Sequence, residues 1–177
     1  IGGPGTGKSV VALLRARRLF KDKRGYRFLV YNHLLRTSNQ HLFGSGEPLI
    51  SAWDGWFREL WRRRFKFEVP CLSAAEGSTY QPVDWVAVTQ RLEEDADAVP
   101  PLNNAPAIVV DEGQDMPKAF YEALTQIGFE HFYVAADQNQ QIHPDKCSSR
   151  QDIENVLAIE ANATLELKQN YRNTRPI

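Results

Sequence analysis

Gly2-Gly3-Pro4-Gly5-Thr6-Gly7-Lys8-Ser9 is the stretch of this sequence that indicates most about its fold. Two glycines separated by four residues and followed by Lys-Ser form the pattern of a phosphate-binding loop. Glycines let successive backbone N–H groups face a phosphate, and the helix after such a loop adds a favourable dipole. We therefore expect these eight residues to bind a nucleotide, with Lys8 at its β- and γ-phosphates and the Ser9 hydroxyl on Mg²⁺.

A second polar stretch, Asp111-Glu112-Gly113-Gln114-Asp115, follows an apolar run. A carboxylate at the end of a strand that neighbours the strand of a phosphate-binding loop can hold Mg²⁺, and we expect Asp111 to do so. Hydrolysis also needs a group that orients and deprotonates water, and Glu112 is one residue further along. Together the two stretches predict ATP as substrate and Mg²⁺ as cofactor, whereas the second stretch alone could be a solvated acidic turn.

The composition is that of an ordinary globular chain. Its 177 residues, 42% hydrophobic and 24% charged, are typical of one domain and exclude a disordered segment. The net charge of −1 means that any nucleic-acid contact must use local patches. Cys71 and Cys147 lack metal-ligand spacing, which favours a reducing cytoplasmic location, and no apolar run is long enough to span a membrane.

Apolar periodicity predicts alternating helices and strands. We expect an apolar face formed by Val10, Leu13, Leu14 and Phe20 on the first helix. The predicted helices span 8–20, 53–67, 83–94, about 117–127 and 151–159, and the predicted strands span 27–31, 107–110, 132–136 and 164–167. This alternation indicates an α/β fold with a parallel sheet and helices on both faces.

The motifs together resemble those of the UvrD/Rep-like DNA helicases of superfamily 1. The stretch at 111–115 is similar to their DExQD box, and further stretches follow the family order. They are Val30-Tyr31-Asn32 (motif Ia), 50–56 (motif Ib), 134–143 (motif III) and 167–174 (motif IV). The resemblance implies a RecA-like P-loop NTPase domain over 1–177, the first motor domain of an ATP-dependent helicase, with a reduced inserted subdomain at about 44–106.

The resemblance also implies roles for residues outside the first two stretches. Gln140 would contact the γ-phosphate, and Arg172 would stabilise charge on the transferred phosphoryl group, a role that suits a guanidinium. Single-stranded DNA would contact Asn32, Trp53, Trp56 and His143. Two features depart from the family pattern: Ala136 replaces a glycine, and His143 replaces an aromatic residue that stacks on a base. Tryptophans at helical spacing are also compatible with a core position.

Other functions remain open on the sequence alone. One is a DNA-dependent ATPase that translocates without unwinding DNA, and another is a switch module that senses a nucleotide without productive turnover. The resemblance implies a strand before Ile1 and a second motor domain after Ile177. A chain without that partner domain is expected to hydrolyse ATP poorly, because an arginine from across the cleft would be missing.

Overall fold

The computed structural model describes residues 1–3, 5–31, 50–96, 99–137 and 147–169. The helices are α1 (Lys8–Lys21), α2 (Trp53–Phe65), α3 (Trp85–Glu94), α4 (Lys118–Ile127) and α5 (Arg150–Val156). The strands are β1 (Tyr26–Val30), β2 (Ile50–Ala52), β3 (Ala107–Val110) and β4 (Phe132–Val134). Short 3₁₀ turns lie at Gly113–Asp115 and Ala161–Ala163. Within these ranges no helix is both long and apolar enough to cross a membrane.

The four strands form one parallel sheet in the order β2-β1-β3-β4. Phe28 of β1 lies opposite Ile50 of β2 and Val109 of β3, and Val110 of β3 lies opposite Val134 of β4. All strands therefore end at the same edge of the sheet, where the residues that follow β3 and β4 meet. The chain is an α/β protein with an all-parallel sheet, as the alternation of elements predicts.

Helices cover both faces of this sheet. On one face Leu29, Ile108 and Val110 pack with α2, α3 and α4 in an aromatic-rich core. On the other face Phe28 and Val109 pack with α1. Alternate residues of a strand point to opposite faces, so a strand buried on both faces is apolar throughout, as all four residues of β3 are.

The predicted apolar face of α1 is wrong in all but one residue. The apolar residues that α1 buries are Ala12, Leu13, Ala16 and Leu19, whereas Val10, Leu14 and Phe20 are exposed. Two alanines on the buried face let the helix axis approach the sheet closely, and the bulkier side chains then lie outside the contact.

The described part of the predicted insertion at about 44–106 does not form a core of its own. β2 pairs with β1 in the main sheet. Phe57 of α2 and Val88 of α3 share one core with Phe120 of α4. This segment is therefore an integral layer of the α/β fold.

The glycine-rich loop, residues 2–7, begins at the far side of β4. The Gly2 N–H donates to the Ala136 carbonyl at 3.3 Å, and Gly2 also pairs in parallel with Leu167. β4 pairs with β3 on its other side. The sequence predicts that the strand before Asp111 lies directly beside the loop, and this prediction is wrong. The chain after β4 lies between β3 and the loop. The strand predicted at 164–167 is reduced to the bridge at Leu167.

Candidate nucleotide and metal site

The glycine-rich loop ends at Gly7, which lies at a positive φ of 87° and caps the N-terminus of α1. Only glycine adopts this conformation without strain. The Gly3 carbonyl accepts hydrogen bonds from the Thr6 hydroxyl at 2.8 Å and from Lys8 Nζ at 2.9 Å. A side chain added at Gly3 or Gly7 would meet no atom within 4 Å, so the loop borders open space at the start of a helix.

Lys8 points from α1 into this polar region. Its Nζ lies 3.1 Å from Asp137 Oδ2, and the side chains of Lys8 and Asp137 are 8% and 1% exposed. A buried charge is tolerated only when it is paired. The pair joins the helix after the loop to the chain that follows β4, across 129 positions of sequence.

Asp111 ends β3 and is completely buried. Its Oδ1 accepts from the Glu112 N–H at 3.2 Å, whereas its Oδ2 has no hydrogen-bond partner within the described ranges. Burial raises the pKa of Asp111 to about 6, and the charge of Glu112 acts in the same direction, while the Ser9 hydroxyl and Lys8 lower it. The Ser9 hydroxyl thus acts on the Asp111 carboxyl group, and the predicted role of the two residues as Mg²⁺ ligands stays a prediction.

Ser9 and Asp111 fit a magnesium ion by the chemistry of their oxygens. The buried Oδ2 has no hydrogen-bond partner among the described residues, and a hard divalent cation binds such an oxygen. Mg²⁺ in nucleotide sites commonly takes one or two protein ligands and completes its shell with water and phosphate oxygens. In the part of the chain that the structure describes, no three His, Cys, Asp or Glu side chains converge on one metal position. The donor set therefore suits a metal that arrives with phosphate.

Glu112 follows Asp111 in a left-handed conformation with φ at 55°. Its Oε2 accepts a hydrogen bond from Gln114 Nε2 at 2.9 Å. Gln114 Oε1 in turn accepts from the Asp137 N–H at 2.9 Å. Strained left-handed backbone at a non-glycine residue is frequent at functional sites. Glu112, Gln114, Asp137 and Lys8 therefore form one chain of polar contacts at the end of the sheet.

Sequence reasoning missed Gln114 and Asp137 as members of this site. Each follows a strand at the edge where parallel strands end, Gln114 after β3 and Asp137 after β4. That position is the signal that could have found them, since ligands of open α/β sheets bind outside the carboxyl ends of the strands. Their contact joins residues 23 positions apart, which no local spacing reveals.

Gly113 keeps the turn after β3 close to β4. A Cβ at this position would lie 2.3 Å from Val134 Cγ1 and 2.9 Å from Tyr121 Oη. The Gly113 N–H donates to the Ala135 carbonyl at 2.9 Å, and the Tyr121 hydroxyl donates to the Gly113 carbonyl at 2.8 Å. The absence of a side chain at Gly113 thus lets the residues after β3 reach those after β4.

Asp115 adds a further carboxyl group to the region. Burial raises its pKa to about 6, and the charges of Glu112 and Asp137 act in the same direction. Its Oδ1 is buried without a hydrogen-bond partner among the described residues. Asp115 thus acts electrostatically on Glu112 and Asp137, and this concentration of carboxyl groups after β3 and β4 favours a bound cation.

The structure places the candidate DNA-contacting tryptophans in or against the core. Trp53 is 9% exposed, and its ring lies 6.2 Å from that of Trp85 and 5.2 Å from that of Phe120. Trp56 is half-buried and meets the Phe129 ring edge-on at 5.8 Å. The expectation that Trp53 stacks on a base is wrong for this structure, because core residues cover its ring. Trp53 is therefore a core residue, and Trp56, on the same helix, packs against that core.

Five of the predicted site residues lie outside the described ranges: Pro4, Asn32, Gln140, His143 and Arg172. Their predicted roles stay predictions.

Lys8 also lines a largely apolar cavity of about 460 Å³. Its lining includes Ile1, Val11, Tyr133 and Leu167, but neither Asp111 nor Glu112. The candidate chemistry is therefore at the open loop edge and not in this cavity.

The chain matches no protein-family model, no curated protein and no solved structure.

Proposed function

We propose that this chain binds ATP with Mg²⁺ and contributes most of the groups that hydrolyse it. The observation that carries the proposal is the contact between two distant stretches. Lys8 Nζ, next to the glycine-rich loop, lies 3.1 Å from Asp137 Oδ2 after β4, and the buried Asp111 follows β3 at the same edge of the sheet. A glycine-rich loop, a lysine, a hydroxyl and a buried carboxylate at the carboxyl edge of a parallel sheet are the groups that phosphate and Mg²⁺ require.

Each residue has a role that its chemistry supports. Lys8 leaves Asp137 and binds the β- and γ-phosphates, and the loop N–H groups surround the β-phosphate. Ser9 and Asp111 hold Mg²⁺, which neutralises charge on the phosphates when it is bound. Glu112, half-buried and one residue beyond Asp111, orients the attacking water and takes its proton.

The wider proposal is that this ATPase is the first motor domain of a superfamily 1 DNA helicase, acting on single-stranded DNA with a second motor domain of the same parent chain. Its support is the order of the sequence motifs and their agreement with an α/β parallel fold. A translocating ATPase without unwinding activity would use the same residues. A second candidate is a nucleotide-sensing switch, in which opening of the buried Lys8–Asp137 pair by a nucleotide would occur without productive turnover.

Calorimetric titration with ATP and Mg²⁺ tests the proposal. Lys8→Ala deletes the cation that reaches the phosphates, and we expect its affinity to fall at least about tenfold, since hydrogen bonds to charged groups contribute about 1.5–3 kcal/mol each. Lys21→Ala, at the exposed end of the same helix, is the matched control and should bind as the wild type does. Equal affinities for Lys8→Ala and Lys21→Ala would falsify the phosphate-binding assignment.

ATP turnover by the wild-type parent chain, measured with its second motor domain in place, separates the two candidate functions. Release of phosphate that requires Mg²⁺ supports the ATPase. Tight binding without phosphate release supports the switch.

A further inference from the structure

Gln114 lies between Glu112 and the chain after β4, with its side chain 3% exposed. Its Nε2 donates to Glu112 Oε2 and its Oε1 accepts from the Asp137 N–H, both at 2.9 Å. These partners fix the orientation of the amide, because an ionised carboxylate only accepts and a backbone N–H only donates. Both ends of the amide are therefore used.

The main chain around Gln114 is held as firmly as its side chain. The Gly113 N–H donates to the Ala135 carbonyl at 2.9 Å, and the Ser148 N–H donates to the Gln114 carbonyl at 3.0 Å. Both contacts cross to other parts of the fold. The backbone of Gln114 is thus fixed, so that its side chain can orient a neighbouring side chain through a hydrogen bond.

Glu112 is the residue whose carboxylate this hydrogen bond orients. Its side chain is half-buried at the edge of the site, and among the hydrogen bonds within the described ranges the one from Gln114 orients its carboxylate. The bond engages Oε2 and leaves Oε1 available to accept a proton. A general base works only when it lies within hydrogen-bonding reach of the proton in a suitable direction.

We propose that Gln114 positions the Glu112 carboxylate for proton transfer from water, and that the Asp137 N–H holds Gln114 in place. The inference rests on the proposed function, since it needs a reaction in which Glu112 accepts that proton. Gln114 acts through Glu112 and is a positioning residue. Its removal therefore lowers the rate of the chemical step and leaves nucleotide affinity nearly unchanged.

Two substitutions separate the two hydrogen bonds of Gln114. Gln114→Met has a similar length and makes neither bond. Gln114→Glu still accepts from the Asp137 N–H, but its ionised carboxylate donates nothing to Glu112. In the proposed parent chain with its second motor domain, we expect both variants to lower kcat for Mg²⁺-dependent ATP hydrolysis about 10- to 100-fold, with KM within about threefold of the wild type. Gln126→Met, on the exposed side of α4, is the matched control.

A double variant distinguishes positioning from a general structural role. When Glu112→Gln has already removed the base, the added Gln114→Met should lower kcat no further, because the positioned group is gone. A structural defect would instead multiply with the Glu112 defect. Thermal melting confirms that each variant folds, and Gln114→Glu provides the result where Gln114→Met does not fold.

The outcomes separate this inference from the proposed function. Unchanged kcat in both Gln114 variants, a rise in KM alone, or multiplying defects in the double variant would overturn the inference while the wild type remains an ATPase. A wild type that neither binds nor hydrolyses ATP with Mg²⁺ would overturn the proposed function and this inference with it. Loss of kcat in both variants, with nucleotide affinity retained and no further loss in the double variant, is the result that the geometry predicts.

Discussion

One face of β3 and its carboxyl end have opposite surroundings. On the face that α2 and α4 cover, the space is filled by aromatic rings such as Phe57, Trp61 and Phe120. The ring centroids lie 5.8 Å (Phe57–Phe120) and 6.1 Å (Phe57–Trp61) apart. Beyond the carboxyl end of β3, Asp111 and Asp137 are 0% and 1% exposed, and Asp137 forms an ion pair with Lys8.

This difference indicates that the aromatic core stabilises the fold, whereas the carboxyl edge of the sheet destabilises it. Apolar burial stabilises the fold by about 25 cal/mol for each Å² removed from water. A buried carboxylate with an unpartnered oxygen, as in Asp111, costs free energy. Natural proteins retain such local conflicts mainly at functional sites, so the carboxyl edge is the part of this fold that we assign to function.

The largest effect is expected from a change at the carboxyl edge that leaves the core untouched. In the proposed parent chain, which includes the second motor domain, Glu112→Gln should lower kcat for ATP hydrolysis about 10²- to 10⁴-fold and leave KM nearly unchanged, because it removes the base and keeps the metal ligand Asp111. Steady-state kinetics measure this, with Glu130→Gln, an exposed glutamate after α4, as the control. A kcat within a few-fold of the wild type would assign the base to another residue.

The converse change breaks the core and leaves the edge residues in place. Trp61 is fully buried, and Trp61→Ala should lower the free energy of unfolding by about 3–5 kcal/mol. The loss should fall at the lower end of that range, because the Trp61 Nε1 donor has no partner among the described residues. Urea unfolding measures it, with the 80% exposed Val86→Ala as control. A loss below about 1 kcal/mol, the central value for point mutations, would contradict the assigned core.

The smallest effect is expected on the free energy of unfolding, from removing the charge of Asp115 at the carboxyl edge. The pKa of Asp115 is raised to about 6, so its ionised form disfavours the folded state at pH 8, and this penalty disappears as the pH falls from about 6 to about 4. Asp115→Asn should therefore raise the free energy of unfolding at pH 8 by about 1 kcal/mol, after a discount for the access of water to this half-buried group.

Unfolding at a series of pH values measures this contribution. The gain from Asp115→Asn should shrink below pH 6 and vanish near pH 4. Asp22→Asn, an exposed aspartate after α1, is the control and should change stability by less than about 0.5 kcal/mol. A gain that is independent of pH would mean that Asp115 is not ionised against an unfavourable field.

Apolar patterning predicted the element order because it records burial directly. β3 was located exactly at 107–110, since a strand covered on both faces is a continuous apolar run. The helix predicted at about 117–127 is likewise present as α4, and its apolar residues Phe120, Ala123, Leu124 and Ile127 are buried at helical spacing. β2 was missed because three residues are too few to show a period.

Patterning failed where packing depends on small residues or distant partners. On α1 the sequence favoured bulky Val10 and Leu14, whereas Ala12 and Ala16 make the close contact with the sheet. Within the site, Ser9 and Asp111 were predicted from the chemistry of Mg²⁺ binding, and that role stays a prediction. The Lys8–Asp137 and Gln114–Asp137 contacts did not follow, because they depend on β4 lying between the glycine-rich loop and β3.

The central claim, that the carboxyl edge binds ATP through Mg²⁺, is tested most directly by the affinity of Asp111→Asn for ATP with and without Mg²⁺. The variant loses a buried charge whose pKa is raised to about 6, so it should fold at least as stably as the wild type at pH 8. We predict that Mg²⁺ strengthens ATP binding by the wild type at least about tenfold, equivalent to 1.4 kcal/mol, and does not strengthen binding by Asp111→Asn. Equal strengthening by Mg²⁺ in the two proteins would contradict the account.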